Sequence, residues 1–227
     1  MGMTMVVPLE LIKTIPYFAG LDTARLETLR DSLFEKKVER GEIILFEDEP
    51  AKALYFVASG AVKIYKTSPD GKEQILNIVR PGDSFNDVPL FDNGTNPASA
   101  QAMTPVLLYG ISRHQMGEIL QKHPDIAVNI IRILAQKVRQ LLSLVEDLSF
   151  RNVRGRVAKI LLEYVADHSE PRPRLTQQEI AAMAGTAREV VGRSLKSLED
   201  DGLIRLESRR VVISDKEALR RLAVESS

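Results

Sequence analysis

The sequence predicts an α+β chain in which a β-roll is followed by one long helix and then by a small helical unit that ends in a hairpin. Three observations carry this reading. Between residues 38 and 113, short runs of Val, Ile, Leu, Tyr and Phe are punctuated by Gly41, Gly60, Gly71, Gly82 and Gly94, 11 to 19 residues apart. Between 123 and 150 an apolar repeat runs without a turn signal. From Leu175 onward, two helix-start signals flank a glycine. The expected division is therefore 1–122 for the roll with its flanking helices, 123–150 for the long helix, and 151–227 for the C-terminal unit.

The 227 residues, 44% of them hydrophobic, supply apolar material for more than one core. Cysteine is absent, which removes disulfides, Cys-ligated zinc, iron-sulfur clusters and thiol redox chemistry. No basic start leads into an apolar run in the first 25 residues, and no stretch approaches the ~20 apolar residues of a membrane span. A cytoplasmic protein with no membrane partner is expected. The formal net charge is zero, with 15 basic against 12 acidic residues in 151–227 and a matching −3 in the remainder. That asymmetry is too small to choose a partner by itself.

Residues 9 to 35 read as helical, because Leu21, Leu26, Leu29, Leu33 and Phe34 fall near helical spacing and Asp22 can cap the segment before Arg25. The strands follow. Ala61-Val62-Lys63-Ile64-Tyr65-Lys66 alternates, and Ser68-Pro69-Asp70-Gly71 turns that run into Gln74-Ile75-Leu76-Asn77-Ile78. About eight short strands are expected, closed as a roll. A metal-barrel enzyme built on such a roll would cluster histidines, yet residues 38 to 112 contain none. No nucleophile constellation or phosphate-cradling loop is present either. The expectation is no enzyme and no metal site.

Helix signals return near Arg113 and, after His123-Pro124, continue to Leu148. Ala127, Ile131, Leu134, Val138, Leu141, Val145 and Leu148 are spaced 4, 3, 4, 3, 4, 3, which places them at a and d of consecutive heptads. The seam is ~30 Å long and suits a parallel pairing of two such helices, a homodimer, rather than a core helix of one domain. Ile130, Ile133, Leu142 and Leu144 widen the apolar surface toward the roll.

Residues 153 to 166 form another amphipathic helix, and His168 to Arg174, with Pro171 and Pro173, form a linker. Then Thr176 with Glu179 is a capping box, Gly185 ends that helix, and Thr186 with Glu189 is a second capping box. Two short helices joined by a tight glycine turn make a helix-turn-helix, whose second helix enters the major groove of double-stranded DNA. That recognition helix covers 187–199. Val191, Leu195 and Leu198 face inward, while Arg188, Glu189, Gly192, Arg193 and Lys196 share the opposite side. Arginine matches the two acceptors of guanine and a carboxylate can accept from the cytosine amino group, although Glu189 can equally be spent on capping. Leu203-Ile204-Arg205-Leu206 and Arg210-Val211-Val212-Ile213 then form a wing, with Ser208 and Arg209 at its tip suited to phosphate.

With these elements in place, the chain resembles the CRP/FNR family of transcription regulators over nearly all of residues 10 to 215. Arg188-Glu189-Val190-Val191-Gly192-Arg193 matches the Arg-Glu…Gly-Arg recognition helix and is the most specific element. The resemblance implies a cyclic-nucleotide-binding-like jelly roll, a dimer reading a palindromic site, and a winged helix-turn-helix. It further implies guanine contacts from Arg188 and Arg193, a cytosine contact from Glu189, and phosphate contacts from Thr176, Gln177 and Gln178. Thr186 and Lys196 complete the expected DNA-facing set. RNA polymerase is an implied partner through residues 168–174.

The resemblance also implies a small-molecule effector, with Phe85, Asn86, Asp87, Asn96, Leu141 and Leu142 as the candidate pocket. Here the chain departs from the nucleotide binders. Their cassette reads Phe-Gly-Glu…Arg-Ser/Thr-Ala, whereas this one reads Phe85-Asn86-Asp87…Asn96-Pro97-Ala98. Pro97 replaces the phosphate-binding arginine and Ala98 the hydroxyl. Burying a phosphate without cationic or hydroxyl partners is costly, which argues against cyclic AMP. Leu141 and Leu142 likewise replace the polar pair that the family presents to adenine. An apolar pocket is expected, compatible with haem, a fatty or aromatic molecule, or no effector at all. Haem usually takes a histidine ligand, and His114, His123 and His168 all lie outside the cassette. A haem- or gas-responsive regulator therefore remains the alternative within the same family.

Overall fold

The computed structural model describes residues 7–164, 175–207 and 210–224. The chain divides into two compact units, one of residues up to Lys66 with 77–139, the other of 67–76 with 140–227.

The first unit opens with α1 (Leu9–Thr14), a 3-10 turn (Pro16–Phe18) and α2 (Thr23–Arg30). The single helix expected over 9–35 is therefore broken. Pro16 cannot donate to a continuing helix, and Gly20 takes φ +84°, a left-handed value. Asp22 does cap α2, accepting from the Arg25 N–H at 2.9 Å. Leu33 and Phe34 leave the helix, and Phe34 begins the first strand.

Eight strands follow: β1 (Phe34–Val38), β2 (Ile43–Leu45), β3 (Ala53–Ser59), β4 (Val62–Thr67), β5 (Glu73–Val79), β6 (Ser84–Phe85), β7 (Ser99–Ala102) and β8 (Val106–Ser112). They form two four-stranded sheets, ordered β1-β8-β3-β6 and β2-β7-β4-β5. The short helix α3 (Val88–Asp92) lies between β6 and β7, and α4 (Arg113–Lys122) follows β8 with a Ser112–Gln115 capping box.

The apolar run of β3 shows why one sheet reads as continuously hydrophobic. Ala53, Tyr55 and Val57 enter a core shared with Ile44, Val62 and Ala100 of the other sheet. Leu54 and Phe56, on the opposite face, join Tyr109, Ile111 and residues of α1, α2 and α4. Successive side chains alternate across the strand, so a sheet covered on both faces needs an apolar residue at every position.

The helix α5 (Ile126–Phe150) is 25 residues long. Ile126 and Ile130 are buried in the first unit's helical core, with Ile133 and Leu134 packed against it. In the second unit, α6 (Val153–Tyr164), α7 (Gln177–Ala184), α8 (Arg188–Asp200), the antiparallel hairpin β9 (Ile204–Glu207) and β10 (Arg210–Ile213), and α9 (Lys216–Val224) surround one core. That core holds Val157, Leu161, Ile180, Val191, Leu195, Leu198, Ile204 and Leu219.

Candidate nucleic-acid interface

The turn between α7 and α8 is built by local chemistry. Thr176 caps α7: its hydroxyl accepts from the Glu179 N–H at 3.1 Å, and the Glu179 carboxylate accepts from the Thr176 N–H at 2.6 Å. At the other end Gly185 sits at φ +61°, and its N–H bonds to the Ala181 carbonyl. Glycine suits that left-handed backbone angle; a Cβ there would stand 2.8 Å from the tip of the Leu148 side chain, which would have to turn aside.

The second capping box is not formed. Ala187, not Thr186, is the N-cap of α8, and no side chain caps that helix. The Thr186 N–H is instead spent on the Ala181 carbonyl at the end of α7, which starts α8 one residue later. Glu189 is consequently exposed and not engaged in a cap.

The faces of α8 sort as expected. Val191, Leu195 and Leu198 are buried, while Arg188, Glu189, Arg193 and Lys196 are exposed. The side chain nearest a Cβ on Gly192 would be Gln177, 3.9 Å away, so the backbone lies open between the two arginines. A convex polar ridge with a shallow centre can approach base edges closely. Thr176, Gln177 and Gln178 are exposed at the start of α7, where backbone N–H groups and the helix dipole favour phosphate. The Thr176 hydroxyl can still donate outward while it accepts from Glu179. Ser208 and Arg209 at the wing tip, and His168 to Arg174, lie outside the described residues.

Two arginines that the residue pattern did not single out brace this unit. The Arg156 Nε donates to the Ala184 carbonyl at 2.7 Å, supplementing Gly185 at the end of α7. Arg154 pairs with Asp201, the C-cap of α8. Their signal in the sequence is only a run of basic residues, which most helices could carry on a solvated face.

On α5, Ile131, Val138, Leu141, Val145 and Leu148 are 39–65% exposed, a long apolar stripe that water would leave unsatisfied. Ala127 and Leu134 are half-buried. Ile130 and Ile133 meet the roll's helical core as expected, but Leu142, expected to do the same, is 64% exposed. It stands beside Leu141 of the seam, outside the first unit.

Four of the candidate effector residues belong to the first unit, where each meets partners of its own. Phe85 is buried and stacked on Tyr55 at 5.3 Å within the roll's core. Asn86 occupies the left-handed region, φ +65°, where the family's cassette has glycine. Its Nδ2 donates to Asn96 Oδ1 at 3.0 Å and to the Ala53 carbonyl at 2.9 Å, and Asn96 donates to the Phe46 carbonyl. Asp87 is buried and bound to Lys137 of α5, Ser84 and Tyr17. Pro97 is exposed and Ala98 buried, so neither supplies a cation or a hydroxyl at the cassette. The polar groups present do not fit a cyclic phosphate. Of the histidines, His114 is exposed and His123 Nδ1 accepts from Arg25 Nε at 3.0 Å. Among the described residues, no cluster of His, Asp or Glu could hold a metal.

A β-roll, a long apolar helix and a winged helix-turn-helix with an exposed arginine ridge define a DNA-binding regulator. Family models agree: the "Cyclic nucleotide-binding domain" matches residues 35–123 and the "Crp-like helix-turn-helix domain" residues 155–222. The chain is 34% identical over 221 residues to the CRP-like cAMP-activated global transcriptional regulator of Mycobacterium tuberculosis, covering 94% of this chain and 99% of that one. It is 32% identical to the cyclic AMP receptor protein of Thermus thermophilus, covering 93% and 98%. Among solved structures, FixK2 from Bradyrhizobium japonicum superposes with TM-score 0.75 at 25% identity, covering 86% and 99%. The chain belongs to the CRP/FNR family. It is a sequence-specific DNA-binding transcription regulator of that type, in a family of regulators rather than enzymes.

Proposed function

We propose that two copies of this chain pair through the α5 stripe and set two α8 helices into successive major grooves of a pseudo-palindromic site, without cyclic AMP. The exposed ridge of Arg188, Glu189, Arg193 and Lys196 on a helix whose other face is fully buried carries this reading. Charged side chains held beside an open glycine on a rigid helix are poised for direct readout, and exposed apolar positions repeating every 3.5 residues favour a paired helix. Arg188 and Arg193 read guanines and Glu189 a cytosine. Thr176, Gln177, Gln178, Ser208 and Arg209 hold phosphates, and Thr186 and Lys196 flank them. Ala127, Ile131, Leu134, Val138, Leu141, Val145 and Leu148 form the dimer seam. Domains at 1–122, 123–150 and 151–227, a cytoplasmic location and a contact with RNA polymerase complete the proposal.

The relatives from Mycobacterium and Thermus are named for cyclic AMP. Here Pro97 and Ala98 leave the cassette without a phosphate partner, which supports a regulator that works without that nucleotide. The test is selection of bound DNA from random sequence by the purified protein with no nucleotide added. The expected product is a pseudo-palindrome with half-site centres ~34 Å apart, bound with affinity that falls steeply with salt. Recovery of single, unpaired half-sites, or of no enriched sequence, would overturn it.

A further inference from the structure

Between the end of α1 and the sheet face that carries Phe56 and Tyr109, the first unit keeps a cavity of about 250 Å³. Local irregularities surround it. Pro16 stops α1 after Thr14, and a 3-10 turn follows. In β3, Val57 pairs with Leu108 and Ser59 with Leu107, which leaves Ala58 as a bulged residue without an opposite number on β8. Beside the bulge, the turn between β5 and β6 is tied to β3, the Gly82 N–H donating to the Val57 carbonyl at 3.0 Å. Helix end, bulge and turn all contribute to the walls.

The lining decides what can enter. Ile15, Phe56, Val57 and Tyr109 are each at most 4% exposed and form the floor, while Thr14 and Pro81 are exposed and form the rim. None of the described lining residues carries a charge. An apolar cavity of about 150 Å³ already accepts benzene, so this one has room for a ring with a short substituent. The Thr14 hydroxyl is spent on the Leu11 carbonyl at 2.7 Å. The Tyr109 hydroxyl, by contrast, has no hydrogen-bond partner among the described residues. Burial, and next the Glu35 carboxylate, raise its pKa above the ordinary phenol value, so at neutral pH it is a donor. Glu35, opposite Tyr109 in the β1–β8 register, also disfavours an anion there. A buried donor without an acceptor is costly, and a neutral guest carrying one oxygen acceptor would relieve that cost.

We propose that this cavity is a binding site for a small neutral aromatic molecule with one hydrogen-bond acceptor, its ring against Phe56 and its oxygen on the Tyr109 hydroxyl. The site is separate from the cassette: Phe85 stacks on Tyr55 in the core between the two sheets, whereas Phe56 and Tyr109 belong to the core on the other face of β3. Binding there needs neither DNA nor a cyclic nucleotide.

The experiment follows the methyl NMR signals of full-length protein labelled at Ile, Leu and Val while acetophenone, ethylbenzene or benzoate is added. Acetophenone is expected to shift Leu11, Ile15 and Val57 and to bind about fivefold more tightly than ethylbenzene, the margin of one hydrogen bond. Benzoate, which brings a charge, is expected not to bind. Tyr109→Phe should remove the fivefold margin and leave ethylbenzene binding unchanged, a pattern that general loosening of the roll would not produce. Ala58→Leu, which fills the cavity from the bulge, should abolish binding of both neutral molecules at a wild-type melting temperature. Equal binding of all three molecules, shifts confined to Leu141 and Leu142 of α5, or no saturable shift overturns the site. A margin that survives Tyr109→Phe overturns the role of the hydroxyl. If Ala58→Leu does not fold, the Tyr109→Phe comparison decides.

Discussion

The β-roll and the helix-turn-helix treat charge in opposite ways. In the roll, Asp87 and Lys137 satisfy one another and are closed in by Ser84 and Tyr17. On α8, Arg188, Glu189, Arg193 and Lys196 stand exposed. A buried charge needs its partner inside the molecule, because desolvation must be compensated there. An exposed ridge of charges on a rigid helix is available to a partner outside. The comparison separates charges that close the fold from charges left open to a partner.

Three measurements break or sharpen that comparison. The largest expected effect is Asp87→Asn, which removes the carboxylate that pairs with Lys137 in a largely closed site and should lower unfolding stability by about 3 kcal/mol. Urea denaturation followed by circular dichroism checks it, and a wild-type midpoint would show that the pair is not structural. Next comes Arg193→Ala, expected to leave that midpoint unchanged while costing roughly 1–3 kcal/mol in affinity for the selected site and relaxing preference at one base position. Competition with sequence variants reads this out. An equal loss on every sequence would make Arg193 a phosphate contact.

The smallest effect concerns Tyr17. Burial, and next the Asp87 carboxylate, push its hydroxyl pKa well above the ordinary phenol value. The folded state therefore keeps a proton that the unfolded chain releases above about pH 10. The resulting stability is fully present below that pH and is lost as pH rises through the alkaline range. Tyr17→Phe should flatten the fall in melting temperature between about pH 9 and 11. It should not abolish it, because burial also raises Tyr55 and Tyr109. An unchanged alkaline slope would mean that Tyr17 is not protected from ionisation in the folded state.

Much of the fold was legible because its signals are local. Glycine spacing marked the strands, Thr176 and Gly185 marked the ends of α7, and a repeat of 4 and 3 marked α5. The losses came where a local pattern competed with a breaker or with distant packing. Over residues 9–35 the apolar spacing is helical, but Pro16 and Gly20 override it. At Thr186 the capping pattern is present, yet the end of the preceding helix takes the N–H first. The exposed ridge of α8 could be named residue by residue, since its exposure depends on a single helix. The polar closure of the cassette could not. Lys137 lies 50 residues from Asp87, and nothing in its neighbourhood on α5 distinguishes it from an ordinary solvated lysine.

The 25-residue span of α5 has a consequence for how such a chain can vary. Each residue advances a helix by about 100° and ~1.5 Å, so its azimuth at Lys137 and at Leu148 are locked in phase. One residue inserted between them would swing the C-terminal stripe by nearly a third of a revolution while leaving the anchor in place. One whole heptad would restore alignment to within about 20°. Length changes in this rod are therefore quantised, and divergence in it should proceed by substitution far more readily than by insertion.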